Sequence, residues 1–328
     1  MPKNATKKIT SIGGSALIEG IMMRGPKRTT LCVRTGKEEI YSEDVEVKTL
    51  GEKYKIFKLP FIRGIAGLID SMRLSYKSLM ISADKAIETA EEEEEPSKFE
   101  KWLDDKFGDK LINILMTIAS IIGIAFAVFL FFFVPSFLFD LLANVVPAFK
   151  GDGEVAVLSK SVFEGITKII LFLVYIILCS QLNDMKRVFM YHGAEHKTIF
   201  CYENNLELTV ENVKKQSRFH PRCGTSFMVL MLIVGIIIGL FVPVAPFGIG
   251  YLRPIFKILL LPLSCGVGYE LIRICGKHDN AFTRVIAAPG IWAQRITTKE
   301  PDSKMIEVAI EAIKAVIPED GSDIVKTE

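Results

Sequence analysis

Residues Leu111–Phe139 read LINILMTIASIIGIAFAVFLFFFVPSFLF without one charged side chain, and Gly224–Leu252 read GTSFMVLMLIVGIIIGLFVPVAPFGIGYL, again without charge. About 20 apolar residues in α-helix cross a bilayer. A backbone in lipid satisfies its hydrogen bonds internally, so both runs are expected as helices. Working outward, Phe163–Leu182 is apolar apart from Glu164 and Lys168, expected in the helix's first two turns near the interface. Ile255–Ile274 carries Lys257, Glu270 and Arg273 towards its ends, with Pro262, Gly266 and Gly268 in its middle. It reads as a fourth span, with a re-entrant or broken helix as the alternative. The fold class expected is an all-α integral membrane protein of about four transmembrane helices with a small α+β N-terminal cytoplasmic domain.

Four spans put the N-terminal segment, the 183–223 loop and the C-terminal tail on one side. That side holds Lys98, Lys101, Lys106 and Lys110, seven Lys or Arg between Lys186 and Arg222, and Arg273, Lys277 and Arg284. The opposite loops offer Lys150, Lys160, Lys168, Arg253 and Lys257. Positive charge marks the cytoplasmic face, so the expected location is the cell membrane, multi-pass, with both termini and the 183–223 loop inside. The net charge of +2 argues against nucleic acid as a partner, and Met1–Thr10 leads into no apolar signal segment. The expected partners are the lipid bilayer and a membrane protein or second copy. The six cysteines show no paired spacing, which argues against a disulfide framework.

The organisation expected is a hairpin plus amphipathic helix over 1–90, an acidic linker over 91–110, the four-span domain over 111–274, and a tail with an amphipathic helix over 275–328. Thr29–Arg34 and Glu38–Val47 flank Thr35-Gly36-Lys37 as a hairpin, with Tyr54–Phe57 as a candidate third strand. So small a sheet must pack on something else. In Pro60–Ala83, Ile62, Ile65, Ile69, Met72, Tyr76 and Leu79 recur at helical spacing. This stripe either lies in the membrane interface or covers the hairpin sheet. Glu91–Glu95 before Pro96 reads as solvated, and Trp102 suits an approach to the membrane. Ala287-Ala288-Pro289-Gly290 reads as a turn, and Ser303–Ile317 as a helix with Ile306, Ala309, Ile310, Ile313 and Ile317 on one face.

Three of the four histidines fall between spans two and three, in His192-Gly193-Ala194-Glu195-His196 and His220-Pro221-Arg222-Cys223. On a helix, His192 and His196 share one face and Glu195 lies beside them. The order H-x-x-E-H matches that of the inverzincins, with the glutamate as general base. His192, His196, His220 and Cys223 would make an N₃S set suited to zinc. The competing reading is of interface histidines, with Glu195 paired to Arg187, Arg218 or Arg222. With four protein ligands the zinc is structural; with three it retains a position for water, with Glu195 as its proton acceptor. Glu203 and Cys201 lie just beyond, as a ligand or a support for one, or simply as packing. His278-Asp279 can reach the same face. Gly13–Pro26 contains Glu19 and Arg24 and reads as a packed turn or as a wall of the loop site, with Glu19 and Arg24 paired.

The chain resembles the YqhQ-type family of bacterial membrane proteins, described as predicted metal-dependent enzymes. The resemblance rests on Ile18–Pro26, on His192–Lys197 with Cys201-Tyr202-Glu203, on Arg218–Phe227, on Pro289–Trp292 and on Thr297–Pro301; Ser15 stands where the family pattern has glutamine. It implies a metal and no substrate. The function expected is a zinc-dependent membrane protein, a hydrolytic enzyme at the cytoplasmic face. The alternative is an accessory or scaffold protein for membrane-protein assembly whose metal is structural.

Overall fold

The computed structural model describes residues 8–36, 39–46, 48–90, 114, 117–151, 153–277 and 281–325. The acidic run, Trp102 and His278-Asp279 lie outside them. The chain divides into two compact units. The first comprises residues 1–90, 175–231 and 265–328, and the second 91–174 and 232–264.

In the first unit four antiparallel strands run in sequence order: β1 (Gly13–Leu17), β2 (Gly20–Arg24), β3 (Thr29–Arg34) and β4 (Ile40–Asp44). The β3–β4 hairpin pairs Thr30 with Asp44 and Arg34 with Ile40, as its turn residues indicate. Gly13–Pro26 is a hairpin of its own, turning at Ile18-Glu19, with Glu19 at φ 50°. Tyr54–Phe57 adds no strand: Lys55–Lys58 is a 3₁₀ turn after a one-turn helix, Leu50–Lys53, that Thr49 and Glu52 cap reciprocally.

β2 is buried from Gly20 to Met23 because both faces of the sheet are covered. Side chains alternate across a strand. Met22, Leu31 and Val33 meet Leu74 and Ile81 of helix α1 (Ile62–Ala90) on one face. Ile21, Met23 and Cys32 join a second cluster on the other face, with Tyr191, Ala194, Met305, Ile306, Ala309 and Ile313. Burying each large aliphatic side chain stabilises by about 1.5–3 kcal/mol. The stripe read as one face of α1 is largely turned outward, with Met72 60% and Tyr76 55% exposed. The opposite side of the helix, through Leu74 and Ser78, packs on the sheet.

Two helices among the described residues are long and apolar enough to cross a bilayer, α2 (Thr117–Val145) and α3 (Glu154–Cys179). α2 widens into a π-helical turn at Phe129–Phe133, where Pro135 has no N–H for the ladder. α4 (Asn183–Glu203) follows α3 across a short turn. α5 (Gly224–Gly239) is apolar but short. α6 (Leu252–Leu259) and α7 (Leu261–Lys277) form a bent pair with a 43° break, and would make a third span if counted as one. Where four spans were expected, two helices among the described residues have the length and apolarity of a span, or three with the bent pair, and α5 is apolar but shorter. α3 begins nine residues earlier than its apolar run, so Glu164 and Lys168 sit in its third and fourth turns and are buried. Within the second unit Arg253 donates to Glu164, to Ser161 Oγ at 2.6 Å and to the Val242 and Pro243 carbonyls, while Lys257 pairs with Glu164.

α8 (Ala281–Thr297) runs through Pro289 where a turn was expected. Gly290, next to the proline, lies so close to Ser226 that a Cβ would stand 2.5 Å from its Cα. α9 (Ser303–Val316), capped by Asp302, buries Met305, Val308 and Ala312 as well as the expected face. It is clasped between the sheet and α4.

Candidate metal centre

α4 carries the histidine pair one turn apart. Gly193 makes this position possible: a Cβ there would overlap the Lys299 carbonyl oxygen, so only glycine lets α4 approach the segment after α8. His192 Nδ1 lies 2.8 Å from the Thr297 carbonyl oxygen, and His196 Nδ1 lies 2.5 Å from that of Arg218. A carbonyl only accepts, so both Nδ1 atoms carry protons and both Nε2 atoms present lone pairs. His192 Nε2 faces Cys223 Sγ at 3.1 Å. His196 Nε2 is buried without a hydrogen-bond partner. The two imidazole rings are 4.4 Å apart, and the donor atoms of His192, His196 and Cys223 lie within 4.8 Å of one another.

The electrostatics favour metal-binding forms. Burial lowers the His196 pKa, keeping the ring neutral. Burial works to raise that of Cys223, while the Thr225 hydroxyl and N–H work to lower it. Thr225 Oγ1 lies 3.2 Å from the sulfur, and the Thr225 N–H donates to it. Two imidazole nitrogens and a cysteine sulfur form a soft N₂S set that fits zinc.

Glu195 lies beside the trio. Its Oε2 is buried and unpartnered, while the Gly14 N–H of β1 serves the carboxylate. Burial raises its pKa to about 7, with Cys223 adding to the rise and His192 opposing it. None of Arg187, Arg218 and Arg222 pairs with it. Arg187 binds Glu19 through two nitrogens, and Tyr191 OH joins them at 3.3 Å. The expected Glu19–Arg24 pair is thus replaced by Glu19–Arg187.

His220 stands outside the trio. Its Nε2 is 3.5 Å from Glu203 Oε2, and its ring centroid is 5.6 Å from that of His196. Glu203 also binds Arg222 and accepts from the Thr10 N–H at 3.0 Å. Burial would raise its pKa, but His220 and Arg222 hold it below the usual carboxylate range. Cys201 is farther off in the core, its thiol pushed up to about 11 by burial. Gln294 is a residue that spacing did not single out. Fully buried, it accepts from the His220 N–H at 2.8 Å and donates to the His220 carbonyl at 2.7 Å and to Ser226 Oγ at 3.1 Å. An amide in a partly apolar helix was its only signal.

A cleft of about 660 Å³ opens over this centre, lined among others by Gly14, Arg24, Ser75, Glu195, His196 and Cys223. Gly13–Pro26 thus walls the site.

Comparison with known proteins places these motifs in a family. Residues 59–319 match the family described as "Protein of unknown function (DUF1385)". The chain is 34% identical over 306 residues to "Uncharacterized protein YqhQ" of Bacillus subtilis (strain 168), covering 93% of this chain and 92% of that protein. No solved structure matches. With so much of its length matched by both, the chain belongs to the DUF1385, or YqhQ-type, family of bacterial proteins.

Proposed function

We propose that this protein is a zinc-dependent hydrolase of the bacterial cell membrane, with His192, His196 and Cys223 as ligands and Glu195 as general base. The observation that carries the reading is the pairing of two oriented, proton-free Nε2 atoms with Cys223 beside an unpartnered Glu195 Oε2. Three protein donors leave a tetrahedral ion one position for water or substrate. Zinc there would supply Lewis acidity, polarising an ester or amide carbonyl and easing ionisation of a water. The chain's own residues do the rest. Thr297 and Arg218 fix the imidazole tautomers through their carbonyls. The Gly14 N–H fixes one end of Glu195, so that the other oxygen is directed into the centre. As water oxygen bonds to the carbonyl carbon, Glu195 takes the proton and returns it to the departing amine or alkoxide.

α2, α3 and the α6–α7 pair cross the bilayer, with α5 as a shorter fourth crossing. The N-terminus, residues 183–223 and the tail face the cytoplasm, on the positive-inside argument. Cysteines introduced between residues 140 and 160 should react with an impermeant thiol reagent outside the cell; labelling at 205 instead overturns the orientation.

The rival is a structural metal in an accessory protein. His220, one ring away from His196, would close the site if it became a fourth ligand. Glu195→Gln separates the two readings. In the enzyme it retains zinc and fails to complement a deletion strain. Zinc retained together with full complementation rules out Glu195 as the base and favours the accessory reading.

A further inference from the structure

Three faces of one helix carry the inference. Successive residues of an α-helix turn by about 100°. On α1, Leu74 and Ile81 lie against the sheet, and Ser71 and Ser75 line the cleft over the metal centre. Farther round, Ile69, Met72, Tyr76 and Leu79 form an exposed apolar stripe. Tyr54, Ile56, Leu59 and Phe61 continue the exposed apolar surface before the helix, with Lys53, Lys55 and Lys58 among them and Arg73 and Lys77 along the stripe. This is the composition of a segment lying in a lipid surface, apolar rings and branches inward and cations at the headgroups.

The start of α1 is fixed to an apolar helix. Gly64 packs so closely on α7 that a Cβ would stand 2.7 Å from Tyr269 and 3.1 Å from Gly266. Arg63 grips Glu270 with two hydrogen bonds, of 2.7 and 2.5 Å. α7 is the second half of the bent apolar pair, so the stripe is held beside a segment suited to lipid.

The cleft itself favours an anion. Its lining includes two arginines, Arg24 and Arg222, and one acid, Glu195. Arg222 is committed to Glu203, whereas Arg24 is exposed and makes no ion pair among the described residues. Hydroxyls of Ser11, Ser15, Ser71 and Ser75 surround the same space, and α5 begins at its rim with Gly224. A helix of this length presents free N–H groups at that end, which adds to the attraction for negative charge.

We propose that the cleft receives the phosphate-bearing headgroup of an amphiphile whose hydrocarbon chains remain in the lipid surface occupied by α1. Arg24 and the serines bind the headgroup, and the apolar stripe brings the cleft's mouth to the lipid. The inference rests on the reading of the trio as a zinc site and names the class of substrate it acts on.

The test uses the full chain with Glu195→Gln, zinc-loaded in neutral detergent, so that nothing is turned over. Calorimetry compares dihexanoyl phosphatidic acid, dihexanoyl phosphatidylcholine and inorganic phosphate. Phosphatidic acid should bind saturably, one per chain. The addition of Arg24→Gln should weaken it at least about tenfold, as expected for a lost charge-assisted hydrogen bond. Ser75→Phe, which fills the cleft, should abolish it. Phosphatidic acid binding no better than phosphatidylcholine overturns the proposal, and so does binding indifferent to Arg24→Gln. Inorganic phosphate binding as tightly as phosphatidic acid also overturns it, since the site would then be one for free phosphate. Zinc measured on the same samples keeps the two readings apart: loss of zinc counts against the metal centre, and zinc retained without phosphatidic acid binding counts against this inference alone.

Discussion

His192 Nε2 and Cys223 Sγ face each other at 3.1 Å across 31 residues of sequence, and His196 places a second imidazole 4.4 Å from the first. This convergence of a sulfur and two imidazole nitrogens at one buried place is what the proposed zinc site rests on. Burying an unpartnered polar atom such as His196 Nε2 costs on the order of 1–3 kcal/mol, and a bound cation removes that cost.

Protein purified without chelator should therefore contain about one zinc per chain. His192→Ala with His196→Ala should lose it, and so should Cys223→Ser. Elemental analysis of the membrane-extracted protein checks this, with circular dichroism to confirm that the helices persist. Full metal content in the double histidine variant would sink the ligand assignment.

Glu203 gives a prediction about pH. It is buried, bound to Arg222, and its pKa is lowered chiefly by His220 and Arg222 working against burial. A carboxylate depressed in the fold stabilises above its unfolded value and loses that contribution as pH falls through the folded one. Glu203→Gln should cost about 2 kcal/mol at pH 7, since removing one partner leaves Arg222 unpaired, though partly in solvent. The difference from wild type should narrow below about pH 4.5, the ordinary glutamate value. Denaturant unfolding at pH 7 and pH 3.5 measures it; an unchanged gap contradicts the assignment of the charge.

That His192, His196 and Cys223 come together was legible because the signal is local: i, i+4 on a helix and a cysteine shortly after a proline. The separation of His220 from Cys223 was not, because it depends on Gln294 and Glu203 fixing the intervening backbone and ring. The β3–β4 hairpin could be read from its turn. The β1–β2 hairpin could not, because β2 is buried on both faces and its IMM run lacks alternation. The stripe on α1 was visible, but composition alone could not say whether it faced sheet or lipid. Glu164 was misplaced near a helix end because the helix extends beyond its apolar run, and its partners lie some ninety residues away.

That cluster gives a third prediction. Arg253 is fully buried and depends on Glu164, Ser161 and backbone carbonyls. Glu164→Gln leaves Arg253 and Lys257 without their carboxylate and should cost about 3–5 kcal/mol. Replacing Glu164, Arg253 and Lys257 together by methionine should cost less than that single change. Thermal aggregation in detergent gives the order. A single variant more stable than the triple would mean that the cluster is not an ion pair network.

The last prediction concerns Gly14 and Glu195. At Gly14 a Cβ would stand 2.7 Å from the Met22 carbonyl oxygen, 2.9 Å from Met23 Sδ and 3.0 Å from the Glu195 carboxyl carbon. The Met22 backbone cannot yield without breaking the register of β1 with β2, so the strain falls on the two side chains, the Met23 thioether and the Glu195 carboxylate. Gly13, one residue earlier, faces open space, with no atom within 4 Å of where its Cβ would stand, and serves as the control. Gly14→Ala should destabilise by about 1–3 kcal/mol through overpacking, whereas Gly13→Ala should stay within about 0.5 kcal/mol of wild type. The functional consequence is sharper than the thermodynamic one. In the proposed site Glu195 is not a ligand, so zinc content in Gly14→Ala should remain near wild type while complementation falls towards that of Glu195→Gln. A general base displaced by even an ångström loses its reach to the proton it accepts. Equal complementation by the two alanine variants, at equal zinc content, would show that the position of Glu195 does not matter, and the base would have to be sought elsewhere in the cleft.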